Sequence, residues 1–151
     1  MTNSNLPKLT FFCFFSLLLM NTTCDEDAPF YDDQSDICDL KTIVNKSLYD
    51  NVDTTGYNLV EAEIVDDCLL ITIGASGCSG NSWEYRLVDS GAVAESSPEQ
   101  RFLKFELSNS EACQAFFQKT VSFDLRPLKI SGSQEIILNL ENSNNPFTYS
   151  Y

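Results

Sequence analysis

Histidine is missing from all 151 residues. Its absence excludes every nucleophile that passes its proton to an imidazole, and every His-ligated zinc or haem site. Basic residues are scarce: 9 Lys and Arg stand against 22 Asp and Glu, a net charge of −13. That balance argues against nucleic acid as a partner, because phosphates need clustered cations. A membrane-spanning run is missing too. The longest apolar stretch, Leu9–Met20, has twelve residues, with only Thr10 and Ser16 polar. A helix of that length reaches ~18 Å, short of the ~30 Å hydrocarbon core. What remains is globular in composition, at 43% hydrophobic, and long enough for one ordinary domain.

Lys8 is the only charge before residue 25. A positive start, a short apolar run and then small polar residues make residues 1–23 a secretory signal. Met20-Asn-Thr-Thr-Cys24 resembles a bacterial lipoprotein signal, whose cysteine becomes the lipidated first residue. Asn21 departs from that pattern, which prefers an apolar residue there, and Thr23 is larger than usual. Asp25-Glu26-Asp27 resembles the surface-export signal of Bacteroidota lipoproteins; in enterobacteria an aspartate there points to inner-membrane retention. The resemblance implies an outer-membrane lipoprotein facing outward, held at the membrane through Cys24, since two or more acyl chains anchor stably. A secreted or periplasmic protein with an ordinary Cys24 is the alternative. The stretch from Asp25 to Asp39 has seven acidic residues, one proline and no basic residue. Residues 24–39 therefore read as the lipidated cysteine and an extended acidic tether. A calcium loop is the rival reading, but D-x-D-x-D-G with its distal Glu is absent.

With Cys13 in the signal and Cys24 at the anchor, Cys38, Cys68, Cys78 and Cys113 remain. Four cysteines in an exported chain imply two disulfides, in one of three connectivities. Cys38–Cys68 and Cys78–Cys113 is the favoured one. The first pins the end of the tether to an early strand; the second pins a Gly-rich turn to a short helix or loop. Each closes a loop of roughly 30–36 residues, worth about 3–4 kcal/mol in the chain-entropy model. A Cys₄ zinc site would need C-x₂-C pairs, which the chain lacks. No metal and no cofactor is expected.

Residues 40–151 read as a single domain. Apolar and polar residues alternate in Val60–Ile64, around Leu69, Ile71 and Ile73, and through Trp83, Tyr85 and Leu87. They alternate again at Leu103, Phe105 and Leu107, at Val121, Phe123 and Leu125, at Ile136, Leu138 and Leu140, and at Phe147, Tyr149 and Tyr151. The expected fold class is all-β: an antiparallel, immunoglobulin-like β-sandwich of about seven strands with one or two short helices. A small closed β-barrel is the alternative. Helical spacing of Leu40, Ile43, Val44 and Leu48 predicts a helix within Asp39–Asp50. Ser108 and Glu111, at capping-box spacing, predict a second one over Ala112–Phe117.

Ser76-Gly77-Cys78, Glu111-Ala-Cys-Gln-Ala115, Phe123-Asp-Leu-Arg-Pro-Leu128 and Tyr149-Ser-Tyr151 carry a further resemblance. Over residues 57–151 the chain is similar to a family of small Bacteroidota surface lipoproteins of flavobacterial type. The resemblance supports pairing Cys78 with Cys113 and implies no particular activity.

Little in the sequence carries chemistry. Gly77-Cys-Ser-Gly80 looks superficially like a serine turn, but Asn81 breaks the G-x-S-x-G frame and the lysines have no distinctive spacing. Ser79 is not expected to be catalytic. Gly74, Gly77 and Gly80 lack the G-K-[ST] of a phosphate loop. Glu61, Glu63, Asp66, Asp67, Glu84 and Asp89 are numerous enough for a glycosidase pair, yet read more simply as solvent-facing strand charges. Trp83 and Tyr85 read as core rather than as a stacking platform. Phe147–Tyr151 reads as a buried last strand rather than an open edge. Asn45-Lys-Ser47 is a sequon of a mainly eukaryotic kind. Asp53-Thr54-Thr55 resembles the short O-glycosylation site of exported Bacteroidota proteins.

The reading that follows is a non-enzymatic cell-envelope lipoprotein, a binding or assembly module for a protein or a glycan. The alternative is an acidic inhibitor or immunity-type lipoprotein that neutralises a cationic hydrolase such as lysozyme or a protease. Loss of Lys8 with the signal leaves the mature chain at −14, and opposite charge steers association. An enzyme is the third reading. Expected partners are the membrane, through the lipid, and an unknown protein or glycan. Mass spectrometry of the protein extracted from its own membranes should give a chain starting at Cys24 plus acyl groups, less four hydrogens for two disulfides. A lipid-free mass would mean secretion.

Overall fold

The structure, a computed structural model, describes residues 37–151. The signal of residues 1–23, the anchor Cys24 and the tether up to Asp36 lie outside the described residues. Each alternating segment is a strand. They are β3 (Asn58–Val65), β4 (Cys68–Gly77), β5 (Glu84–Ala94), β6 (Glu99–Ser108), β7 (Ala115–Asp124), β8 (Glu135–Leu140) and β9 (Phe147–Ser150). Two short strands precede them, β1 (Leu40–Lys41) and β2 (Ile43–Val44), followed by the single-turn helix α1 (Lys46–Tyr49). A 3₁₀ turn, Arg126–Leu128, follows β7.

The strands form two sheets, ordered β1-β7-β4-β3 and β2-β5-β6-β8-β9. Neither closes on itself, so the fold is the expected sandwich and not the barrel. Side chains of period two point inward from both sheets and bury completely: Leu69, Ile71 and Ile73 on one side, Leu87, Leu103, Ile136 and Leu138 on the other. The rings of Phe105 and Phe123 meet edge to face between the sheets, 5.9 Å apart. At ~1.5–3 kcal/mol for each fully buried side chain, this layer is the main stabilising term.

Not every pairing is antiparallel. β1 runs parallel to β7, β2 to β5 and β6 to β8. The last arises because the chain crosses to the other sheet as β7 before it returns as β8.

The expected helix over Asp39–Asp50 forms only at Lys46–Tyr49. Thr42, Ile43 and Val44 are three β-branched residues in succession, which a helix accepts poorly and a sheet edge accepts well. The chain instead joins one sheet at Leu40–Lys41 and the other at Ile43–Val44, stepping across at the buried Thr42. Asn45 then caps the helix, its Oδ1 accepting from the Leu48 amide at 2.9 Å.

The disulfides are Cys38–Cys68 and Cys78–Cys113, spanning 30 and 35 residues. At the Cys38–Cys68 end, Asp89 and Arg101 form a buried ion pair, 0% and 7% exposed. Arg101 donates through Nη2 to Asp89 Oδ1 at 2.6 Å and through Nε to Oδ2 at 3.1 Å. The Gly91 amide donates to Asp89 Oδ1 at 2.7 Å, and Arg101 Nη1 to the Leu128 carbonyl at 3.3 Å. Both charges are thus hydrogen-bonded as well as paired, which is what burial of charge demands. Near them, Asp67 accepts from the buried Tyr149 hydroxyl and pairs with Lys129 at 2.9 Å. Asp89→Ala should lower stability by about 3–5 kcal/mol, because it strands a buried guanidinium. The double change Asp89→Leu with Arg101→Leu should cost less, as urea unfolding would show.

Candidate functional site

The other end of the sandwich is built around one carboxylate. β4 ends at Gly77 and β5 begins at Glu84; the turn between them is stapled to the β6–β7 connection by Cys78–Cys113. Three successive amides in this turn point at Glu111 Oε2: Cys78 at 2.5 Å, Ser79 at 3.0 Å and Gly80 at 3.0 Å. The hydroxyls of Ser82 and Ser79 donate to Oε1 at 2.9 and 3.4 Å. Gly80 has φ of 68°, the left-handed conformation such a nest of amides uses. A side chain at Gly77 would strike Glu111 and the Trp83 ring, so only glycine fits. Asn109 positions the loop: its Oδ1 accepts from the Glu111 amide at 2.9 Å, and its Nδ2 donates to the Ser76 carbonyl at 2.8 Å.

This arrangement overturns the helix expected over Ala112–Phe117. Glu111 is not a helix-capping residue; its carboxylate is held by the facing turn, and Cys113 is drawn to Cys78. From Ala115 the chain is β7. Sequence spacing alone missed this role. The available signal was the pairing itself: once Cys78 joins Cys113, an acid two residues before one cysteine meets the glycine-flanked turn around the other.

The nest fixes the chemistry. Backbone donation from Gly80 and Ser79 holds the Glu111 carboxyl down at about 2. It stays ionised at neutral pH with its lone pairs engaged, so it is a fixed charge and not a proton carrier. The Ser79 side chain bonds to Glu111 and the Asn81 amide, and the carboxylate it meets is the one already engaged by the nest. Trp83 is 6% exposed and belongs to the core; Tyr85 is half-buried against Phe105, with ring centroids 6.1 Å apart.

The other sequence candidates do not converge. Asp67 and Asp89 are spent on Lys129 and Arg101. Glu61 and Glu63 are exposed on β3, Asp66 on the β3–β4 turn and Glu84 at the start of β5, in the other sheet. Among the described residues no three His, Cys, Asp or Glu gather as a metal site. Asn45 is occupied as a helix cap, and Thr54 donates its hydroxyl to Glu141 at 2.8 Å. The aromatic tail is both things at once. β9 is an edge strand, yet Tyr149 is fully buried and Phe147 and Tyr151 half-buried.

Charge is partitioned by role. Lys46, Arg86, Arg101, Lys104, Arg126 and Lys129 all pair with carboxylates inside the domain. Glu61, Glu63, Asp66, Glu84, Glu95 and Glu135 are exposed and form no ion pair among the described residues.

No protein-family model matches the chain, and no curated protein matches it. Solved structures share its fold. A NigD-like immunity protein from Bacteroides caccae superposes with a TM-score of 0.52 at 10% identity, covering 74% of this chain and 64% of that one. A protein of unknown function, DUF1344, from Bacteroides vulgatus gives 0.50 at 14%, covering 74% and 55%. A putative toxin-related protein from Parabacteroides distasonis gives 0.49 at 18%, covering 74% and 59%. The chain spans less than two thirds of each of these structures. At such identities the likeness is one of fold. The two disulfides are those of an extracytoplasmic protein.

Acid should loosen the domain. A carboxylate whose folded pKa is lowered contributes stability that is full above its unfolded value, about 4.3 for Glu, and lost as pH falls through the folded one. Glu111, at about 2, and Asp39, Asp67 and Asp124, all lowered by hydrogen bonds, share that sign. Stability should therefore fall between about pH 5 and 2. Glu111→Gln should flatten part of that slope, and at neutral pH it should speed amide exchange at Cys78, Ser79 and Gly80, measurable by NMR.

Proposed function

We propose that this chain is an exported surface module, anchored by lipid at Cys24, that binds and neutralises a cationic protein in the manner of an inhibitor or immunity protein. The observation that carries the reading is the partition of charge. Six of the cations are paired with carboxylates of the domain, while Glu61, Glu63, Asp66, Glu84, Glu95 and Glu135 sit exposed with no ion pair among the described residues. A surface so arranged steers cationic partners toward itself. The shared fold of the NigD-like immunity protein supports the reading. The carboxylate beside Ser79, that of Glu111, is engaged by three backbone amides, which suits a structural charge better than a general base and favours a binder over an enzyme. β4 runs from the Cys38–Cys68 disulfide to the Cys78–Cys113 end.

A glycan-binding module is the second reading, favoured by Phe116. Its ring is 57% exposed and lies over Gly74, beside Tyr57, Asn58 and Ser76. Exposed aromatics of this kind stack on apolar faces of ligands.

The test is binding of the full protein to cationic hydrolases, with lysozyme and trypsin as probes, over a range of salt. The expected result is association with at least one, loss of its activity, and affinity that falls at least ~10-fold between 50 and 300 mM salt. No association at low salt, together with retention on a glycan array, would replace this reading with the second.

A further inference from the structure

We propose that the cationic partner docks by adding an extended strand to the edge of β3, placing alternate Lys or Arg side chains beside Glu61 and Glu63. The inference rests on the reading of the chain as a binder of cationic proteins, and it names how the partner is held.

Four strands lie at sheet edges: β1 and β2 with two residues each, β9 with four and β3 with eight. β3 is the longest edge left unpaired among the described residues, and its backbone N–H and C=O groups on that side can pair with another strand. The flank of the sandwich is open there. On β4, Ile73, Ile71 and Leu69 are fully buried, whereas Leu59, Ala62 and Ile64 opposite them on β3 stay half-exposed. Val60 and Val65 are 48% and 46% exposed.

Charge selects the occupant. Glu61 pairs in register with Thr72 and Glu63 with Leu70, so both face outward on the same side of the sheet. Neither has an ion pair or side-chain hydrogen bond among the described residues. They are two residues apart, ~7 Å along the strand, which is also the repeat of same-face side chains on an added strand. Cations at alternate positions of that strand would meet both carboxylates. The opposite face of β3 presents the half-exposed Ala62 and Ile64. These would meet apolar side chains from the intervening positions of the added strand. The recognised segment therefore alternates basic and apolar residues. A second copy of this chain fits worse, because β3 against β3 would bring four glutamates onto one face. The irregularity in pairing between Leu59 and Glu61 confines the added strand to Glu61–Val65.

This mode is β-augmentation, in which main-chain bonds give affinity and alternate side chains give specificity. The probe is a peptide of alternating Lys and Val, added to the full protein and followed by fluorescence anisotropy and hydrogen exchange. Protection should appear in Glu61–Val65. E61K with E63K should weaken binding at least ~10-fold, and E61Q with E63Q less so, with unchanged melting. Of two peptides methylated on the Lys or on the Val backbone nitrogens, one should bind and the other should not. No binding, protection elsewhere, or equal binding of both methylated peptides would overturn the proposal. If lysozyme or trypsin binds wild type and E61K/E63K equally, the edge mode fails while the inhibitor reading stands. If neither binds wild type, the inhibitor reading fails by itself.

Discussion

A disulfide sits at each end of β4. Cys68 is its first residue and Cys78 follows its last, so the strand is covalently fixed at both limits of its length. β4 is also paired on both sides, with β3 and with β7. Much of the rest is placed from it. Cys38–Cys68 fixes where the chain enters and hence where β1 and β2 divide between the sheets. Cys78–Cys113 fixes the start of β7 and brings Glu111 under the amides of the facing turn. Small exported domains have limited core, and cross-links of this span reduce the freedom of the unfolded chain most effectively when the loops are long.

The strands were legible in the sequence because one wet and one dry face force a period of two, and seven segments show it. What was not legible is where tertiary contacts outweigh local spacing. Leu40, Ile43, Val44 and Leu48 fit a helix in spacing, but the β-branched run found two sheet edges to complete. Ser108 and Glu111 fit a capping box, but three amides across the loop offer a carboxylate more than a helix start does. Asp89 reads as a surface charge, and only the fold shows that it lies inside against Arg101. The candidate surface was half visible. The alternation of Glu61 and Glu63 with apolar residues was readable, whereas the openness of that edge follows from sheet order, which no local pattern encodes.

The two ends of the molecule use carboxylates in opposite ways. At one end Asp67, Asp89 and Asp124 are matched to Lys129, Arg101 and Arg126. At the other, Glu111 is matched to neutral amides and hydroxyls and forms no ion pair among the described residues. A chain with few basic residues can thus hold a structural carboxylate in place without using a cation. Backbone N–H groups serve where Lys and Arg run short, and the remaining acids are left to the solvent.

The position of Cys38 also has a mechanical consequence. Tension arriving at Ile37 meets the disulfide before it meets any strand of the described residues, since Cys38 precedes β1. The load passes directly to Cys68, at the head of a strand hydrogen-bonded along both flanks. β1, β2, α1 and β3 all lie within the covalent loop between the two cysteines and are shielded from the pull. β4 would have to be dragged lengthwise past both neighbours at once, so bonds along its length must yield together and not one after another. Without the cross-link, the same pull would peel the two-residue strands away first.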